Sequence, residues 1–97
     1  MATYIALIDY TDQGIRGIKD SPERAIHFAE QARRHAVDVK DLFWTSGKHD
    51  GVLIMEAPDD KAVSALMLSL GRGGNVRTHT MRAYDRDEME QILGNTD

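Results

Sequence analysis

The segment Gly51-Val52-Leu53-Ile54-Met55 is apolar at every side-chain position and runs directly into Glu56-Ala57-Pro58-Asp59-Asp60, the end of a strand and the start of a helix. Such a strand needs cover on both faces. The first strand, residues 3 to 10, shares the property, with Ile5 and Leu7 on one side and Tyr4, Ala6 and Ile8 on the other. A chain of 97 residues with two amphipathic helices can cover one sheet face itself, so a second copy is expected on the other. Leu53 and Met55 are taken as positions on that pairing face.

The net charge of −4, from 12 basic and 16 acidic residues, comes without a basic block. Nucleic acid and anionic membranes both reward a positive stripe, so neither is an expected partner. The chain has no cysteine, which excludes disulfides, thiolate metal sites and cysteine nucleophiles. The apolar run Tyr4 to Ile8 is too short for a membrane span and meets Asp9 at once. A single cytoplasmic domain over residues 1–97 is the expectation, with 85–97 a short terminal helix or tail.

Thr11 to Asp20 contains Gly14 and Gly17, has no period, and reads as a long loop. Ser21-Pro22-Glu23 then predicts a helix start, with Ser21 as N-cap, and Ala25, Ile26, Phe28, Ala29, Ala32 and Ala36 as its inward arc. Residues 37–45 predict an outer strand whose far end, Phe43-Trp44, is buried. After a turn at 46–51 and the apolar strand, Asp59 or Asp60 caps a second helix to about Leu70, with Ala62, Val63, Leu66, Ser69 and Leu70 inward. Gly71-Arg72-Gly73-Gly74 ends it, and residues 75–84 form the last strand.

The predicted fold class is α+β, in the ferredoxin-like order βαββαβ with a four-stranded antiparallel sheet. In that topology the first and third strands are central, and these are the two strands apolar on both faces.

Thr11-Asp12-Gln13-Gly14, Phe43-Trp44-Thr45 before Gly47-Lys48-His49-Asp50, Glu56-Ala57-Pro58-Asp59-Asp60 and Gly74-Asn75-Val76-Arg77-Thr78 together resemble the GYD-domain proteins over nearly the whole chain. The resemblance implies a ferredoxin-like fold pairing as a dimeric α/β barrel, in a bacterial protein whose biochemical role is largely unassigned. The family's named motif has a tyrosine before its aspartate, where this chain has His49. Gly47, Asp50, Glu56, Pro58, Asp59, Gly74 and Asn75 match position by position, mostly as turn and cap residues.

Gly71 to Asn75 looks like a phosphate loop, but it follows a helix and precedes a strand, so the local field is that of a negative helix end. No nucleotide or other cofactor is expected. On the last strand Arg77, His79 and Met81 share one face. Were that face to line a pocket, His79 would serve as general base, with Arg77 or Tyr4 stabilising an enolate or phenolate; otherwise the pair sits at a solvent rim. Glu56 is either an acid–base group or a partner for turn N–H groups. His49 and Asp50 adjoin in a turn, which points such side chains apart. His27 and His35, eight residues apart, lack the spacing for a metal, and none is expected. Tyr4, Trp44 and Met81 are candidate ligand-pocket residues, the aromatic ones alternatively plugs of a dimer interface.

Two functions remain open. One is a homodimeric barrel that binds a small, partly apolar molecule between sheet and helices or within the barrel, with cofactor-independent oxidation or isomerisation as its enzymatic form. The other is an assembly or regulatory module whose apolar face serves self-association alone.

Overall fold

A computed structural model describes all residues from Met1 to Asp97. Its strands are β1 (Ala2–Tyr10), β2 (Asp38–Trp44), β3 (Gly51–Ala57) and β4 (Val76–Ala83), and its helices are α1 (Asp12–Arg16), α2 (Ser21–Arg34), α3 (Asp60–Arg72) and α4 (Arg86–Gly94). The sheet is antiparallel in the order β2-β3-β1-β4, so the two strands apolar on both faces are its centre. This is the ferredoxin-like arrangement expected from the pattern.

Helices α2 and α3 cover one face. The core beneath them takes Tyr4 and Ala6 from β1, Leu53, Met55 and Ala57 from β3, Phe28 and Ala32 from α2, and Val63, Leu66 and Met67 from α3. Leu53 and Met55 are fully buried here, which corrects their assignment to a pairing face. The pleat puts Val52 and Ile54 on the opposite side instead.

Across the uncovered face the register forms rows. Asp41, Ile54, Ile5 and Met81 make one, and Phe43, Val52, Leu7 and His79 the next. Charged rows flank them, with Asp38, Glu56 and Thr3 at one end and Asp9 with Arg77 at the other. Phe43 and Trp44, expected to be buried, are 53% and 49% exposed within a single chain: Phe43 is on the uncovered face, and Trp44 is only partly covered by the start of α2.

The segment read as a loop contains α1 and a 3-10 turn, Ile18–Asp20. A five-residue helix is too short to show a period, but its cap is conventional: the Thr11 hydroxyl accepts from the Gly14 amide. Gly14 lies so close to the Asn75 carbonyl that an added Cβ would stand 1.8 Å from its oxygen. The glycine-rich loop after α3 is therefore occupied by its own chain. Thr11 Oγ1 donates to the Gly74 carbonyl (2.5 Å), Gln13 Nε2 to the Gly73 carbonyl (3.0 Å), and the Thr11 amide to the Asn75 carbonyl (3.1 Å).

Two details of α2 differ from expectation. Asp20 rather than Ser21 is the N-cap residue, and the Ser21 hydroxyl is committed to tertiary partners. Ile26 is 63% exposed, and Ala36 lies beyond the helix, so the buried arc narrows to Ser21, Phe28 and Ala32, with Ala25 and Ala29 partly covered. The helix closes with the Val37 amide on the Ala32 carbonyl (2.9 Å) and the Ala36 amide on the Arg33 carbonyl (3.1 Å), which puts Ala36 in the left-handed region at φ 61°. A Cβ there crowds the backbone. Ala36→Gly is expected to stabilise the fold by about 1 kcal/mol; an unchanged urea midpoint would show that no such strain exists.

Candidate functional site

The sheet separates the chemistry-bearing residues into two groups. His79, Arg77 and Met81 project from the uncovered face, whereas Tyr4 and Trp44 lie on the helix side. The two groups meet nowhere. The pairing of a His79 base with a Tyr4 stabiliser is not assembled, since the sheet stands between them.

On the uncovered face the organising residue is Asp9, at the end of β1. Its carboxylate stands between two imidazoles, with Oδ1 3.0 Å from His49 Nδ1 and Oδ2 3.2 Å from His79 Nε2. The rings tilt toward each other at a centroid distance of 6.0 Å. His49 arrives from the β2–β3 turn and His79 from β4, which pairs with β1 so that Arg77 is directly opposite Asp9. His49 and Asp50 do point apart: Asp50 accepts the Tyr10 amide at 2.8 Å and buttresses the β1 end. Asp9 escaped the sequence reading because an acid ending a strand looks like a solvated stop. The turn residue His49, which stands at the family's tyrosine position, is a polar partner of Asp9.

Such a carboxylate-held imidazole pair can orient a proton or accept a hydrogen bond from a docking surface. His79 is 64% exposed at its side chain. Glu56 occupies the far end of the same face, 3.8 Å from Lys40 Nζ, which also pairs with Asp38 at 3.1 Å. No group of three or more His, Asp or Glu side chains is arranged to hold a metal ion, and no helix is long and apolar enough to cross a membrane.

On the helix side Tyr4 is 5% exposed and donates its hydroxyl to Asp60 Oδ1 at 2.5 Å. That bond, aided by burial, raises the Tyr4 pKa above the ordinary phenol value, so the hydroxyl is a structural donor. The Arg82 guanidinium lies 5.6 Å from the Tyr4 ring centroid and 4.7 Å from that of Tyr84, and reaches Glu88 of α4 at 2.8 Å. Trp44 is at the other end of this side. There the sheet ends and the first turns of α2 and the last turn of α3 leave a cleft of about 290 Å³, whose lining includes Ile8, Tyr10, Ser21, Trp44, Leu53 and Leu70. Neither Tyr4 nor Met81 contributes to it, so the candidate pocket residues are divided among three places.

These features define a class: a small α+β domain with one helix-covered sheet face and one apolar face open. The chain belongs to the GYD-domain family, whose model matches residues 4–93. It is also 33% identical over 84 residues, covering 86% of this chain and 88% of the relative, to a Thermus thermophilus protein named glutamine synthetase and cystathionine beta-lyase binding protein.

The Arg82–Glu88 contact ties α4 to the sheet. The hydrogen bond from Arg82, seconded by the Asp85 amide, lowers the Glu88 pKa below the ordinary carboxylate value. A carboxylate lowered on folding stabilises above its unfolded pKa, and that contribution is lost as pH falls through the folded value. In wild type, 13Cα shifts of residues 86–94 should therefore report progressive loss of α4 through the acid range. Glu88→Gln should weaken α4 at neutral pH and flatten the acid response; an undiminished acid step in the variant would assign it to other groups.

Proposed function

We propose that this chain is a binding and regulatory module. Two copies pair through their open sheet faces, the pair docks on metabolic enzymes, and the cleft on the helix side holds a small, partly apolar molecule. The observation that carries this reading is the layout of the open face: two apolar rows through Ile5, Ile54, Leu7 and Val52, bounded at both ends by charged rows. Dry centre and polar rim are the anatomy of a protein interface. Phe43 and Met81, 53% and 45% exposed, extend the apolar centre to both edge strands. Helix α4 leaves Met89, Ile92 and Leu93 exposed and buries none of its own residues.

Self-pairing fits this face because its rim carries both signs, Asp9 and Glu56 against Arg77 and Lys40, so a two-fold arrangement can bring acid to base. The His49–Asp9–His79 group is then a polar register mark at one end of the interface. His79 lines neither the cleft nor the hollow beside Tyr4.

Ile54→Asp places a charge at the centre of the open face without entering the helix-covered core. Native mass spectrometry and circular dichroism should show a folded monomer, and a variant that stays paired would remove the sheet face as the self-association surface. The relative's name supports the second arm of the reading. Surface plasmon resonance against glutamine synthetase and cystathionine beta-lyase from the host organism should give saturable binding to at least one. Absence of binding to both would refute enzyme docking by this chain on the relative's pattern.

A further inference from the structure

The hydrogen-bond inventory of the cleft points to the class of molecule that fills it. Ser21 Oγ accepts from Trp44 Nε1 at 3.0 Å and is 2.9 Å from the Tyr10 hydroxyl, with either oxygen able to donate. These three groups hold one proton each on nitrogen or oxygen, and the two bonds between them use two. One hydroxyl proton, on Tyr10 or Ser21, is left without an acceptor in the fold. Arg24, one turn further along α2, lies in the same wall. Its Nη1 donates to the Gly17 carbonyl at 2.9 Å, but its Nη2 is shut off from solvent without a hydrogen-bond partner, and no carboxylate of the chain pairs with it.

A guanidinium nitrogen left in this state is costly and calls for an acceptor. The acid that shares the lining, Asp50, is engaged by the Tyr10 amide. His27, Gln31, Ser69 and Asn75 complete the polar edge, and the Asn75 side-chain oxygen is taken by Gln13. The one side-chain polar atom sealed from solvent without a partner is thus a donor, Arg24 Nη2, and it stands near the positive end of α2. The remaining lining is apolar, with Phe28, Leu53 and Leu70 behind the half-exposed indole of Trp44.

We infer that the cleft binds a small carboxylate with an apolar body, its anionic end held by Arg24 and the Tyr10–Ser21 hydroxyl pair and its body lying on Trp44, Phe28 and Leu53. The volume of about 290 Å³ lies at the small end of ligand pockets, which suits a single ring or short branched chain rather than a nucleotide or a fatty acid. A turn of the Arg24 guanidinium brings Nη2 from its sealed position to the carboxylate. The inference rests on the reading of the cleft as a small-molecule site, and adds the charge and shape of its occupant.

The chain has one tryptophan, so Trp44 fluorescence reports the cleft directly. The probes are 4-methylphenylacetate and its neutral isostere 4-methylphenylacetamide, titrated into the full chain. Wild type should bind the carboxylate at least roughly tenfold more tightly than the amide. Arg24→Gln should remove that preference, Arg24→Lys should restore part of it, and Ala25→Trp, which fills the cleft, should block both probes as followed by amide NMR shifts of residues 21–31. If neither probe binds wild type, the small-molecule reading itself fails. If both bind equally, or if Arg24→Gln keeps the preference, the cleft stands as a site but the anion assignment is overturned. Circular dichroism establishes that each variant is folded, and should Arg24→Gln be unfolded, Arg24→Lys decides the assignment: a carboxylate-to-amide ratio reduced from wild type supports it, and an unchanged ratio overturns it.

Discussion

The fold depends on one mismatch of surfaces. Strands β1 and β3 present apolar side chains on both faces, while the two longer helices can shield only one. The two faces differ in the side chains they present. The helix side receives Ala6, Leu53, Met55 and Ala57, a mixture of small and large residues into which the alanines of α2 and the larger side chains of α3 fit. The other side receives Ile5, Leu7, Val52 and Ile54, all branched and of similar size. An apolar surface framed by charge suits another protein, whereas a mixed surface under two helices suits a core with a cleft at its end.

That division organises the chemistry as well. The sheet keeps the imidazoles of His49 and His79, held by Asp9, away from the aromatic hydroxyls of Tyr4 and Tyr10. Each side has its own polar arrangement. On the open side, charges sit at the ends of the strands and mark an orientation; on the helix side, Tyr4 is locked to Asp60 while Tyr10, Ser21 and Trp44 share hydrogen bonds around the cleft. The adjacent residues Phe43 and Trp44, one on each side of the sheet, connect the two through the end of a single edge strand.

The glycine-rich loop shows how a motif is decided by its surroundings. Gly71 to Asn75 offers carbonyls at the end of α3, and the α1 segment supplies their donors through Thr11 and Gln13. The close approach of Gly14 to Asn75 makes this possible. A segment without periodicity thus becomes the staple that joins the end of β1 to the start of β4, and its position helps to shape the cleft beneath.

The amino-acid sequence by itself determined the strands, the two long helices, a cap of α3 at Asp59 or Asp60, of which Asp59 takes the role, and the central place of the two-faced strands, because period and capping are local properties written in neighbouring residues. It did not determine which pleat face the helices would take, so Leu53 and Met55 exchanged places with Val52 and Ile54 as the surface left open. It read Ser21 as a cap, since only the folded chain brings Tyr10 and Trp44 to that hydroxyl. Asp9 gained its importance in the same way: its two imidazole partners lie about 40 and 70 residues along the chain and reach it through strand pairing. Tertiary structure decided these matters because the partners are distant in sequence, and a side chain's role is fixed by what it meets.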